Sequence, residues 1–298
     1  MEISQILKHL HQRIRLISLY QRSAKELAEA ECRRLLEMER RLQTSDELAD
    51  LTISTQNMHY INPVDGSRIF YGWADSTIDD LLKATRLHQN KQYQWLLAEA
   101  YEEFEDFLEM AFANAGLNDR NFWQLADYGN ISLNEVDDKG WDWHLRQAQN
   151  KKGSPESLLN HFRARLPRFA ELERSNKLGV DLRIYVALVA QLRHHIVHTG
   201  GRVKDREAFI RKVLSSVGQY NNGKPTKENL DLIDDYFFDG EHLDTIGLLE
   251  IRTHEQSRLP LQFSMFDGLC RPLLATAYAL AFAIQEVQSN SPPTRTEH

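Results

Sequence analysis

The sequence predicts a mainly α-helical chain with a small β-hairpin and an N-terminal helical arm. Three observations carry this. Apolar residues recur in three- and four-residue steps over the first fifty positions; an aromatic stripe at helical spacing runs through residues 93–108; and a very apolar run, 181–198, ends at Gly200-Gly201. No internal repeat and no glycine-rich phosphate loop interrupts this pattern.

In chain order, Ile3, Leu7, Leu10, Ile14, Ile17, Ala24, Ala28, Leu35, Met38 and Leu42 form a coiled-coil-like seam, interrupted at Gln21 and Glu31. Residues 1–60 are therefore read as a helical arm, able to serve as a hairpin arm, a dimer contact or a partner-binding arm. Asn62-Pro63-Val64-Asp65-Gly66-Ser67 is turn chemistry and opens a linker over 61–84. A second helix is expected from Thr77 to Ala115, with a break near Asn90 and a stop at Gly116. Its stripe of Trp95, Leu97, Tyr101, Phe104 and Leu108 should be core. The acidic residues opposite should be solvated, unless one of them holds an arginine.

Residues 117–155 are rich in turns and tryptophan. Ser154-Pro155-Glu156 then places a cap, a first-turn proline and an acid at a helix start, and that helix should end near Pro167. Asp181–His198 is the most apolar helix, Arg206–Val217 is another, and Asn221–Pro225 is a loop. Residues 248–254 and 259–264 alternate like two strands of a hairpin, and an Ala/Leu-rich helix follows from Phe266 to Val287. Ser291-Pro292-Pro293-Thr294 begins a tail, 291–298, expected to be disordered.

Composition narrows the function classes. With 42% hydrophobic and 27% charged residues, the chain falls in the ordinary range of a soluble globular protein. No apolar run approaches the roughly 20 residues needed to cross a bilayer, and the N-terminus has no secretory pattern. Cys32 and Cys270 are too few for a disulfide framework and too isolated for a zinc knuckle, so a cytoplasmic location is expected. The net charge of −7 argues against a nucleic-acid binder, but its distribution does not. Residues 151–224 hold 15 Lys+Arg and 6 Asp+Glu, a balance of +9, and the rest of the chain is at −16. Such a block is either a solvated face or the footprint of a polyanion.

Inside that block lies Arg193-His194-His195-Ile196-Val197-His198, followed by Thr199-Gly200-Gly201. Three readings compete. His194 and His198, four apart, share a helix face and could bind zinc, but a zincin would need Glu where His195 stands. A histidine or arginine at a helix C-terminus can also simply bond the last carbonyls. Cleavage of RNA by its own 2′-hydroxyl, without metal, needs a group to take that proton, one to protonate the leaving 5′-oxygen, and a cation for the phosphoryl charge. Histidine suits the first two and arginine the third. Five residues at about 100° put Arg193 and His198 some 140° apart with a rise of about 7.5 Å, so two helix ends meeting across a dimer make a complete site more easily than one.

Arg193-x4-His198 resembles the R-x4-H motif of the HEPN superfamily, with the polar His194 at the first variable position. Ala100-Tyr101-Glu102-Glu103-Phe104-Glu105-Asp106-Phe107-Leu108 is similar to the first core helix of prokaryotic members, and the closing hairpin and helix are similar to the end of that domain. The resemblance spans residues 85–290. It implies a HEPN-like helical bundle that forms a homodimer, binds RNA, and cuts it as an endoribonuclease of the toxin–antitoxin or antiviral-defence type. Products would carry 2′,3′-cyclic phosphate and 5′-hydroxyl ends. Carried over, Arg193 is the phosphate ligand, His198 the catalytic histidine and His194 the residue that orients them; His195 has no role in the pattern. Gly200 stands where one toxin subgroup has a modified tyrosine, so that control is not implied. No cofactor or metal is expected, and a regulatory protein could engage residues 1–50. The alternative is a catalytically silent module of the same type that binds RNA, nucleotide or a protein.

Overall fold

The computed structural model describes residues 1–43, 53–55, 58–72, 74–129, 131–151, 155–220, 224–238, 244–252 and 262–290. Ser154, the loop at 221–223, the hairpin turn at 253–261 and the tail at 291–298 lie outside the described residues. The chain divides into two compact units, residues 1–18 with 94–298, and residues 19–93.

Helix α1 (Ile3–Gln43) contributes to both. In the first unit it buries Ile3, Ile6, Leu10, Ile14 and Ile17; in the second, Gln21, Ala24, Ala28, Cys32 and Leu35. The seam therefore runs through Gln21, one of the two positions expected to interrupt it, and passes Glu31 by way of Cys32. Three- and four-residue steps lead through Ile6 rather than Leu7, and through Gln21 and Cys32.

The unit at 19–93 also carries two small antiparallel sheets. Strand β1 (Ile53–Thr55) pairs with β4 (Ala74–Ser76), and β2 (His59–Ile61) pairs with β3 (Arg68–Phe70). The turn between β2 and β3 is the expected one. The Gly66 amide donates to the Asn62 carbonyl at 2.9 Å, and the Asn62 and Asp65 side chains accept from Val64 and Ser67. Thr77 and Asp80 exchange side-chain and backbone bonds in a capping box that starts α2 (Ile78–Asn118). No break occurs at Asn90, which is buried.

In the larger unit, α2 buries Leu97, Tyr101, Phe104 and Leu108 as expected, whereas Trp95 is 53% exposed. Gly116 does not end the helix, which continues to Asn118. A Cβ there would meet the Trp123 indole at 2.3 Å, so glycine is needed for close packing. The stretch expected as turns contains a 3-10 turn (Leu125–Tyr128), α3 (Leu133–Val136) and α4 (Trp141–Gln149). Their rings join a cluster in which Phe112 stacks on Trp123 with centroids 5.0 Å apart and meets His161 edge-on at 5.1 Å.

Helix α5 (Glu156–Arg165) ends before Pro167, which becomes the first residue of α6 (Pro167–Arg174). Then come α7 (Leu182–Thr199), α8 (Arg206–Ser216) and α9 (Lys227–Asp234), the last unanticipated. Strands β5 (Glu250–Arg252) and β6 (Gln262–Ser264) form the expected antiparallel pair ahead of α10 (Met265–Asn290). Helix α10 packs on α6 and α7, and α7 packs on α8. The expectation that no run could span a bilayer needs correction. Met265–Ser289 is long and apolar enough by length and composition, with mean hydropathy 1.2, and 61% of that window is buried inside the protein.

Candidate functional site at the end of α7

Asp181 caps α7 by accepting the Arg183 amide at 3.0 Å, and Leu182, Val186, Leu188, Val189, Leu192 and Ile196 bury its inner face. The far end is closed by backbone. Gly200 is left-handed (φ 65°), and the amides of Gly200 and Gly201 both point to the His195 carbonyl. The Thr199 hydroxyl lies 2.9 Å from that carbonyl and 2.5 Å from that of Arg202. A Cβ on Gly201 (φ 80°) would lie 2.3 Å from Gln94 Oε1, so only glycine fits beside this buried side chain. Gln94 in turn donates to the Ile246 carbonyl at 2.8 Å, and the Ile246 amide donates to Gly201.

Among the described residues Arg193, His194 and His198 bond none of the helix-end carbonyls, whereas His195 engages the Arg202 backbone. Arg193 is half-buried and reaches sideways to α2, where Nη2 donates to Glu102 Oε1 at 3.1 Å. Its Nε is buried without a hydrogen-bond partner among the described residues. His194 and His198 are exposed and meet at a tilt of 53°, with ring centroids 4.7 Å apart. His195 turns inward against Phe209 of α8 at 5.5 Å, with Nδ1 3.4 Å from the Thr199 hydroxyl. The structure therefore brings His194 and His198 together, and Arg193 faces elsewhere. Among the described residues Arg193 and His198 share no hydrogen bond, ion pair or ring contact.

Electrostatics sharpen the setting. Partial desolvation, then the charges of His198, Lys212 and Arg193, hold the His194 ring below the usual histidine range. Burial does the same to His195, opposed by the Arg202 backbone. Burial also pushes the Glu105 carboxyl, one turn from Glu102, up to about 7; Arg193 pulls it down, and Glu102, Glu109 and Asp106 push it higher. The +9 block is only partly neutralised: among the described residues seven of its 15 basic residues are paired, four of them to acids already counted in that balance. Lys151, Arg163, Arg168, Arg183, Arg193, Arg206 and Arg211 all hold carboxylates. Arg202, Lys204 and Lys212, around the end of α7, form no such pair among the described residues. Among those residues no group of three His, Cys, Asp or Glu side chains is placed to hold a metal ion.

Comparisons with family models, curated proteins and solved structures find no match. Function therefore rests on this site alone. Sequence reasoning missed Glu105 and Lys212. The acidic run Glu102–Asp106 hinted at the first, and only the packing of α8 on α7 places the second.

Proposed function

We propose that this chain is an endoribonuclease that needs no metal, working as a homodimer in which Arg193 and His198 of two copies form one composite site. One histidine takes the 2′-hydroxyl proton as that oxygen attacks phosphorus. The bond from phosphorus to the 5′-oxygen breaks, and that oxygen leaves with a proton from the second histidine. Arg193 binds the phosphoryl oxygens and His194 supports the pair. One end then carries a 2′,3′-cyclic phosphate and the other a 5′-hydroxyl.

The observation that carries this reading is the backbone closure of α7. Gly200, Gly201 and Thr199 all bond the His195 carbonyl, and among the described residues Arg193, His194 and His198 bond no helix-end carbonyl. Arg193 is held by a largely exposed carboxylate, Glu102, which a phosphate can displace. The R-x4-H resemblance supplies the role of each residue and the suggested place in host toxicity or antiviral defence.

The test is incubation of the full chain with tRNA and mRNA in EDTA. Wild type should yield cyclic-phosphate ends, and Arg193→Ala and His198→Ala should not. No cleavage by wild type, or equal cleavage by both variants, overturns the proposal. A second reading, a catalytically silent module that binds RNA, is favoured by the Arg193–Glu102 pair, which turns the arginine away from His198 within one chain. It predicts RNA retained without cleavage.

A further inference from the structure

A proton shuttle needs one free ring nitrogen; the end of α7 presents two imidazoles side by side. Of the twelve histidines, only His194 and His198 are four residues apart in sequence. On a helix that spacing sets them about 40° apart around the axis and about one turn along it. The structure makes them neighbours. Both are exposed, their ring centroids are 4.7 Å apart, and among the described residues neither gives a nitrogen to a hydrogen bond or an ion pair. His195 is turned aside, its ring against Phe209 and its Nδ1 toward the Thr199 hydroxyl.

The separation suits two rings on one metal ion. A nitrogen about 2.1 Å from zinc places the centre of its imidazole about 3.2 Å from the ion. Two rings so bound have centres about 5.2 Å apart at a tetrahedral angle and about 4.5 Å apart at a right angle. The 4.7 Å of this pair lies between the two, so one ion fits both rings without movement of the helix. Only the broad χ2 torsions need turn a nitrogen of each ring inward. The local charges act in both directions. His198 stands in the last turn of α7, where the helix carbonyls favour a cation. Lys212 of α8 and Arg193 act on His194 with the opposite sign, and Arg193 is offset by its pair with Glu102.

We infer that His194 and His198 form a two-histidine chelate for a divalent transition ion such as zinc or copper, and that the bound ion switches the proposed site off. Imidazole suits these ions, whereas magnesium and calcium prefer oxygen ligands. Two protein ligands leave the remaining positions to water. The ion carries no step of RNA cleavage. While it is bound, the ligating nitrogens can neither take up nor give a proton, and its release returns them. The chelate stands on the geometry of the pair alone. The inhibition rests on the ribonuclease reading, and the two are measured separately.

The experiment titrates the full-length protein with Zn²⁺ by calorimetry, with Mg²⁺ as the comparison ion. Wild type should bind Zn²⁺ about tenfold or more tighter than His194→Ala or His198→Ala. The double variant should match either single variant to within about twofold, because one histidine cannot chelate. Lys212→Ala removes a facing charge and should tighten binding. Saturating Zn²⁺ should slow RNA cleavage by wild type about tenfold or more, and EDTA should restore it. Zinc affinity unchanged in either single variant, lowered by Lys212→Ala, or equalled by Mg²⁺, overturns the chelate. Zinc held by the pair without RNA cleavage in EDTA overturns only the ribonuclease reading. Cleavage in EDTA by a chain that binds no zinc overturns only the chelate, and cleavage that saturating zinc leaves intact overturns the inhibition.

Discussion

Two groups of histidines in the larger unit show how environment decides what one residue type does. His144 and His161 lie in the aromatic cluster. A ring nitrogen of each meets a backbone carbonyl, Gly140 at 3.1 Å and Phe122 at 2.7 Å, and burial holds both below the usual histidine range. His194 and His198 stand exposed at the end of α7, tilted against each other, with no backbone bond among the described residues. The first pair is structural because its nitrogens are used. The second pair has nitrogens to spare, and a nitrogen to spare is what proton transfer requires.

The sharpest way to break this contrast is to exchange the expected consequences. His198→Ala should lower RNA cleavage by about 10²–10⁴-fold while leaving the urea midpoint unchanged. An equal loss of stability would make it a packing residue. His161→Ala should do the opposite, costing about 2–4 kcal/mol through a cavity among Phe112, Phe122 and Phe162 and a freed Phe122 carbonyl, as read by urea unfolding. Gly116→Ala tests the same cluster from α2. Its methyl meets the Trp123 indole, so overpacking of about 1–3 kcal/mol is expected, with Trp123 fluorescence reporting the displacement.

The smallest effects are pH effects, and their signs differ. His144 and His161 stay neutral when folded, so the unfolded chain takes up their protons first. Their contribution is complete above about pH 6.5 and is lost as pH falls through the lowered folded values. Glu105 is raised from 4.5 to about 7, so its contribution is complete below about 4.5 and is lost as pH rises through about 7. Glu105→Gln should therefore raise Tm by roughly 2–4 °C at pH 8 and do nothing at pH 4. A stabilisation independent of pH would show that the carboxyl is not strained by burial.

What could be read from sequence follows the range of the interactions. Helix α7 was legible to within a residue, because Asp181 and Gly200 act on backbone next to them. The β5–β6 pair and the turn at 62–67 were legible for the same reason. Gly116 was misread as a stop because its reason, Trp123, lies across a turn and not along the helix. Gln21 was taken as an interruption because a polar residue does not announce burial, and at Glu31 the seam was missed because it passes through the neighbouring Cys32. The short helices in 125–149 follow from packing of aromatic rings, not from period. At the site, Arg193, His194 and His198 stood out as residue types. That Arg193 meets Glu102, 91 residues away, and that Lys212 charges the His194 environment, needed the fold.

The lock at the end of α7 has a consequence for synthesis. Gly201 fits against Gln94, and Gln94 and Gly201 are both tied to Ile246. A nascent chain that has passed Gly201 but not residue 246 lacks the strand-like partner of this exit, and its helix end has nothing to set the glycine turn against. The arginine and histidines therefore reach their final setting only after residue 246, some fifty positions beyond the motif, has been made. Truncated products of translation carry the motif without the frame that positions it.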